Sequence, residues 1–441
     1  PKRLSIYARA CAIPTAVANQ YGLQWVKTTF DIKPQWTEEP DAAQVGRLLQ
    51  QHLEIGHVET FTVTSHRTDA FSKVYRIETI KSGKWLVRVQ LPVEPCWMTA
   101  SEVATLDFVR QNTSIPVPKV LASDPSNLNG LQFEWMLTEH IPGTILERRW
   151  RRIHPLDKSN LITSLARIAA DLYAASTRST RIGSLYPGEG PWQYAVGRMI
   201  SIPFFWGDGA ARRDIARGPF QNSYDWLFSR LDLLLRAQVE TLDNSTDEDD
   251  IEEATVSKAL ADRLLRLLPR IFPPDAAGEP VMLSHIDMSD RNILVDDSGS
   301  ITAVLDWGCS VVVPRWMACQ PPTLLDGAYR DEQPLRTDYA AYNPAVDGPD
   351  VEHSRGMSEL YWEHQLEYEK WVWREKFFEQ MASVEPRWLQ EFVGSQLQRD
   401  FELAVTHLGG PFSGPRVTRW LDAVESGNSS NLWKILNGER A

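Results

Sequence analysis

His285-Ile286-Asp287-Met288-Ser289-Asp290-Arg291-Asn292-Ile293-Leu294-Val295-Asp296 is followed, fourteen residues after Asn292, by Asp306 in Val304-Leu305-Asp306-Trp307-Gly308. Phosphoryl transfer from a nucleotide needs a carboxylate that orients or deprotonates the acceptor hydroxyl, and hard oxygen ligands that hold Mg2+ against the phosphate oxygens. Asp287 suits the first task, Asn292 and Asp306 the second. Ile293-Leu294-Val295 and Ile301-Thr302-Ala303-Val304-Leu305 read as short strands, with Asp296-Asp297-Ser298-Gly299-Ser300 as the turn between them. A hairpin brings its open ends together, so Asn292, just before the first strand, and Asp306, just after the second, are predicted to meet at one metal site. One Asp beside a strand is usually a turn former or an exposed acid. The spacing of the three, their apolar flanks and the Trp-Gly after Asp306 are what point to chemistry. His285, two residues ahead of the base, is a catalytic-loop residue that reads as a hydrogen-bonded support rather than a proton carrier.

This segment resembles the signature of the aminoglycoside phosphotransferase and choline kinase superfamily. The resemblance implies a bilobal, protein-kinase-like α+β fold, with a β-rich nucleotide lobe and a mainly helical catalytic lobe. It also implies an ATP- and Mg2+-dependent kinase acting on a small hydroxylated metabolite, with Asp287 as base and Asn292 and Asp306 as Mg2+ ligands. The family usually has Gly where this chain has Ile286, a departure that removes no catalytic atom but can alter the loop.

Upstream, Phe61–Ser65, Lys73–Ile80 and Lys84–Leu91 have strand character. The loop His66–Ser72 contains no glycine, so a glycine-rich phosphate cradle is absent from it; the resemblance assigns Phe71-Ser72 as the turn covering the nucleotide. A basic side chain on the third strand should hold the α and β phosphates and be held by an acid on the next helix. Arg88 is the best match, with Glu102 in the helix predicted over 101–111. Ser114–Val120 carries two prolines that enforce an extended entry to the next strand. Leu131–His140 reads as a strand and Ile141–Leu146 as a turn into a helix. In a two-lobed kinase this is the hinge, where backbone groups from Glu139 to Ile141 would bind the adenine edge and Met136 would pack near the ring, or serve simply as core.

The predicted organisation is a helical extension over 1–54, a nucleotide lobe and hinge over 55–140, and a catalytic and substrate lobe over 141–441 with aromatic C-terminal helices. Helical spacing recurs over 159–173, 226–235 and 255–269. The acidic run 243–253 reads as an exposed loop, and the aromatic-rich stretch 182–220 as an insertion that shapes an acceptor pocket, packs as a surface loop or makes an oligomer contact. The aromatic run 357–373 reads as a helix whose rings pack in the core rather than stack on a ligand. With 441 residues, 43% hydrophobic and 24% charged, the chain is long enough for two or three folded domains.

A net charge of −12, from 46 basic and 58 acidic residues, argues against a nucleic-acid binder, because phosphate backbones demand a positive surface. Cys11, Cys96, Cys309 and Cys319 show neither metal spacing nor a disulfide frame, and no apolar run has the length to span a membrane. A cytoplasmic location follows as the expectation. Lys2, Arg3, Arg9 and Lys27, with no acid before Asp31, leave a mitochondrial presequence as the alternative. Neither the acceptor nor the oligomeric state is legible. Two other readings stay open: a nucleotide-binding pseudokinase or scaffold, suggested by the glycine-free loop and Ile286, and a non-phosphoryl enzyme on the same fold.

Overall fold

The computed structural model describes residues 20–437 other than 29–31, 53–60, 80–82, 176, 178, 189–192, 208, 210–211, 277, 348–354, 409–412 and 429. Its first described segment departs from the expected helical extension. Leu23–Lys27 (β1) and Ile32–Trp36 (β2) pair as an antiparallel hairpin, and only Ala42–His52 is helical. In Leu23-Gln24-Trp25-Val26-Lys27, Leu23 and Trp25 are half-buried on one face while Gln24 is exposed between them, a strand pattern. The hairpin is tied to the next sheet by Lys73, which lies 4.7 Å over the Trp36 ring and pairs with Glu39.

Phe61–Thr68 (β3), Ser72–Thr79 (β4), Gly83–Gln90 (β5), Val120–Asp124 (β6) and Glu134–Glu139 (β7) form one antiparallel sheet in the order β3-β4-β5-β7-β6. The expected strands are present; the loop between the first two shrinks, because His66 to Thr68 stay in β3 beyond a bulge at Ser65/Arg67, leaving Asp69-Ala70-Phe71 as the turn. Alternate residues Tyr75, Ile77, Val87, Val89, Trp135 and Leu137 form a core with Val45 and Leu48 of the Ala42–His52 helix. Arg88, cross-strand from Met136, therefore points to the opposite face, toward the rest of the chain.

The Trp97–Asn112 helix crosses that face, and Glu134 reaches its N-terminus, where Oε1 accepts a hydrogen bond from the Cys96 N–H at 2.7 Å. Beyond Glu139 the chain turns through Pro142 and Gly143 into Thr144–Ile145 (β8). Gly143 is required there: at φ 153°, a Cβ would lie 2.7 Å from Thr302 Oγ1.

The remainder is mainly helical. The Pro155–Ala174 helix packs against Glu359–Val384, whose Phe377 and Met381 are buried in the same core as Leu165 and Leu172. A second core gathers the Ser223–Asn244, Glu248–Ile271, Gln396–Thr406 and Gly414–Glu425 helices. The acidic run is helical rather than a loop. Only Ser245–Asp247 link the two long helices, and Asp247 caps the second by accepting from the Asp249 and Asp250 N–H groups. Acids in a first helical turn are stabilised by its exposed amides, so the run marks a helix start.

The 182–220 insertion is closed at its base by paired hydrogen bonds between Ile182 and Phe220 and contains a hairpin of Ser184–Pro187 (β9) and Tyr194–Gly197 (β10). It grips the five-stranded sheet at two points. Phe205 and Trp206 meet the Phe71 ring edge-on at 5.4 and 5.5 Å, and Glu94, just past β5, is buried between Arg198 and Arg217.

Burial pushes the Glu134 carboxyl up to about 8. Because the folded pKa is raised, this group's stabilisation is complete below the unfolded value near pH 4.5 and is lost as pH rises through about 8. Glu134→Gln, neutral throughout, is expected to flatten the fall in melting temperature between pH 5 and 8; parallel wild-type and variant profiles in thermal unfolding would refute this assignment.

Candidate active site

Val281–Ser284 (β11) pairs with Val311–Pro314 (β14), and Ile293–Val295 (β12) with Ile301–Val304 (β13), with β8 completing the second small sheet. The loop from His285 to Asn292 is suspended between these sheets. The expected hairpin is present, and its open end is closed by the Leu305 N–H donating to Asn292 O at 2.8 Å.

His285 is engaged through both of its ring nitrogens. Its Nδ1 accepts from the Asp287 N–H at 3.2 Å, which leaves Nε2–H to donate to Leu305 O at 2.9 Å, and the ring meets Trp307 edge-on at 4.7 Å. Burial holds its pKa below the ordinary imidazole value, so the neutral ring that these two bonds require is the favoured form.

Asn292, 1% exposed, donates from Nδ2 both to Asp287 O and to Asp287 Oδ2, each at 2.9 Å. This fixes the carboxylate of the proposed base, whose other oxygen accepts a longer contact from Thr323 Oγ1 at 3.4 Å. Thr323 was not foreseen, since no motif marks it and it reaches the loop only through the fold. The Asn292 Oδ1 atom is buried with no hydrogen-bond partner. A buried amide oxygen is costly unless something occupies it.

Asp306 adopts a left-handed backbone conformation, φ 58°. Its side chain engages Arg88: both Nη atoms donate to Oδ1 at 3.0 Å. Arg88 Nη1 also donates to Glu102 Oε1 at 2.8 Å and Nε to Ser72 Oγ at 3.1 Å. One guanidinium thus joins the sheet, the helix after it and the catalytic hairpin, as a planar fork can and an ammonium cannot. Gly308 borders the cluster: a Cβ there would make ordinary contacts, 3.4 Å from Asp306 Oδ1 and 3.5 Å from Glu102 Oε2.

The charges respond accordingly. Burial pushes the Asp306 carboxyl up, but the Arg88 charge and hydrogen bonds outweigh it and hold the group below the usual carboxylate range. Burial dominates at Glu102 and leaves its carboxyl raised despite Arg88. For Arg88, burial is opposed by both acids, and the pKa is raised, so the cation persists.

An oxygen set suited to Mg2+ follows from these contacts: the unpartnered Asn292 Oδ1 and an anionic Asp306 of which Arg88 contacts only one oxygen. Such a pair fits Mg2+, which usually completes its shell with waters and substrate phosphates. Among the described residues no three His, Cys, Asp or Glu side chains form a metal cage.

The remaining predicted residues fall into two groups. Ser72 is fully buried within the Arg88 network, whereas Phe71 turns away from it into the insertion's aromatic cluster. Met136 is 5% exposed and packed in the main core. The Glu139 N–H is already donated to Lys119 O at 3.1 Å, and its carboxylate accepts from the Lys119 N–H at 2.9 Å. Ile141 lies half-buried just past the strand.

The sequence pattern of the phosphotransferase enzyme family matches residues 62–317, which span the sheet, the Arg88 network, the insertion and the catalytic hairpin. The chain belongs to this family. Among similar curated proteins, a subtelomeric hrmA-associated cluster protein of Aspergillus fumigatus is 24% identical over 57% of this chain and 58% of its own length. A protein of Clavispora lusitaniae named altered inheritance of mitochondria protein 9, mitochondrial, is 22% identical over 61% of this chain and 51% of its own. This family member therefore spans somewhat over half the length of the curated relatives it matches. The crystal structure of a putative aminoglycoside phosphotransferase from Ralstonia eutropha superposes with a TM-score of 0.44 at 13% identity, covering 91% of this chain and 94% of that one.

Removing the cation should expose how much the network depends on it. Arg88→Met is expected to lower stability by about 3 kcal/mol, because it leaves Glu102 buried without a partner, and Arg88→Met/Glu102→Met should recover much of that loss. Urea unfolding of both variants tests this; a single variant as stable as wild type contradicts it.

Proposed function

We propose that this chain is an ATP-dependent kinase that transfers the γ-phosphoryl group to a hydroxyl of a small molecule. The observation that carries the proposal is the pairing of Asp287 with Asn292: the same amide that fixes the base keeps its oxygen, buried and unpartnered, for a metal. Asn292 and Asp306 would hold Mg2+, which when bound neutralises charge on the phosphate oxygens and holds them in line.

The chain's own groups do the rest. Asp287 Oδ1, the oxygen not held by Asn292, is the atom available to receive the acceptor's hydroxyl proton, and the half-buried loop holds it in place. Arg88 presents a permanent positive charge whose direction is set by Ser72, Glu102 and Asp306, ready for phosphate oxygens. His285 supports the loop through its neutral ring and moves no proton. For the adenine edge, the backbone at Ile141 is what we assign, because the Glu139 and His140 amides already donate to Lys119 O and Lys84 O. The sheet region through residue 140 serves as the nucleotide lobe, and the helical region from 141 as the catalytic one.

The predicted partners are the nucleotide and a small hydroxylated metabolite, with no nucleic acid. No described helix is long and apolar enough to cross a membrane. Of the two locations considered, the mitochondrial one draws support from the relative whose name carries it.

Asp287→Asn keeps the size of the side chain and one oxygen to accept from Asn292, but removes the base. It is expected to unfold with the wild-type midpoint and to lose turnover by about 10²- to 10⁴-fold. The measurement is mass-resolved product analysis with Mg-ATP and a metabolite extract, wild type beside variant. A product of undiminished yield in the variant overturns the role of Asp287, and nucleotide binding without any phosphorylated product favours the pseudokinase reading.

A further inference from the structure

A chamber of about 330 Å³ opens beside the catalytic loop, lined by His285, Ile286 and Met288 on either side of Asp287 and by Thr323, which touches the Asp287 carboxylate. Its walls are built from distant segments: Met199 and Ile202 of the insertion, Met282 of β11, Val313 of β14, and Met317. Four of the chain's eight methionines, Met199, Met282, Met288 and Met317, thus face one small space. Methionine is flexible and polarisable, and concentrating it in one wall makes a surface that adapts to apolar shapes. Ile202 and Ile286 belong to the same lining and are 41% and 39% exposed, so apolar surface is left open at the chamber where a folding core would have covered it.

The charges of the lining are already matched from within the protein. Arg230 pairs with Glu402 and donates to Thr406 Oγ1 at 2.9 Å, and Asp326 receives Arg374 at 2.5 Å. Apart from the base itself, a polycationic ligand would find no carboxylate here without a cation of its own, and would lose its hydration uncompensated. Past Gln320, Pro321, Asp326 and Glu402, which line both spaces, the chamber meets an outer cleft of about 820 Å³ with Trp371, Phe378, Phe392 and Trp433 in its walls.

We infer that the phosphoryl acceptor is a neutral alcohol carried on a compact apolar body, that Ile286 is a specificity-determining wall for it, and that larger substituents extend into the outer aromatic cleft. The inference rests on the phosphotransferase reading and narrows its acceptor class. Ring systems of one or two cycles match the inner volume, which lies at the small end of ligand pockets. The hydroxyl would sit at the Asp287 end, between Ile286 and Thr323, with the apolar body against the methionines.

The test is a panel of neutral one- and two-ring alcohols beside polycationic aminocyclitols and a quaternary-ammonium alcohol, each assayed with Mg-ATP for phosphorylated product. Wild type is compared with Ile286→Asp, circular dichroism confirming that the variant is folded. Neutral alcohols should be the phosphorylated ones, and Ile286→Asp should raise their KM by about tenfold or more while kcat changes by less than about threefold. Phosphorylation confined to the cations, or a KM unmoved by Ile286→Asp, overturns the inference and leaves phosphoryl transfer intact. Binding is read separately as thermal shifts in the Asp287→Asn protein. If no alcohol is phosphorylated but neutral alcohols still raise its melting temperature, and do so less in Asp287→Asn/Ile286→Asp, the kinase reading fails while the apolar ligand class stands. The absence of both signals overturns both.

Discussion

A single buried guanidinium organises the catalytic half of this molecule. Arg88 arises from the middle strand of the nucleotide sheet, and its donors are divided among Ser72 on the neighbouring strand, Glu102 on the following helix and Asp306 at the end of the catalytic hairpin. A charge placed in low dielectric must be paired or pay several kcal/mol in desolvation, on the order of the stability of a whole domain. Meeting that demand brings together segments 218 residues apart in the chain. It also leaves Asp306 ionised, as a metal ligand must be, although burial alone would favour its neutral form.

The second pole of the site is built differently. Asp287 is positioned by uncharged partners, accepting from the Asn292 amide and donating its own N–H to His285, and the second bond depends on imidazole remaining uncharged. The cationic network and the neutral loop meet at the hairpin, where Leu305 donates to Asn292 and accepts from His285 while its neighbour Asp306 turns to Arg88. One short hairpin therefore fixes both Asp287, the proposed base, and Asn292 and Asp306, the proposed metal ligands. Its left-handed residue at Asp306 is the local cost of sending the adjacent side chain to the other pole.

The insertion adds a third constraint. It holds the glycine-free turn through Phe71 and clamps the end of β5 through Glu94, while its Met199 and Ile202 form a wall of the chamber beside Asp287. A glycine-rich loop approaches phosphates through a mobile, side-chain-free backbone. Here the corresponding turn is short and anchored by aromatic contacts, so any movement over a nucleotide would involve the insertion too. The turn through Phe71 and the chamber beside Asp287 are in this way mechanically joined by residues 182–220.

Much of this was readable in advance. Strands over 61–91 and 293–304 and the long helices follow from hydrophobic period, which local sequence carries. The gathering of Asp287, Asn292 and Asp306 around one hairpin follows from their spacing, and the Arg88–Glu102 pair from one basic strand position followed by one acidic helical one. The hairpin at 23–36 and the helix start within 243–253 were missed because charge was read before alternation and before capping. Tertiary structure alone decided that Phe71 would leave the phosphate side for Phe205 and Trp206, that Thr323 would reach Asp287, and that four scattered methionines and Ile286 would enclose one space. Those outcomes depend on which segments pack together across separations that run from 36 residues, for Thr323 and Asp287, to more than a hundred, and packing partners are set by the shape of the whole core, which no local pattern encodes.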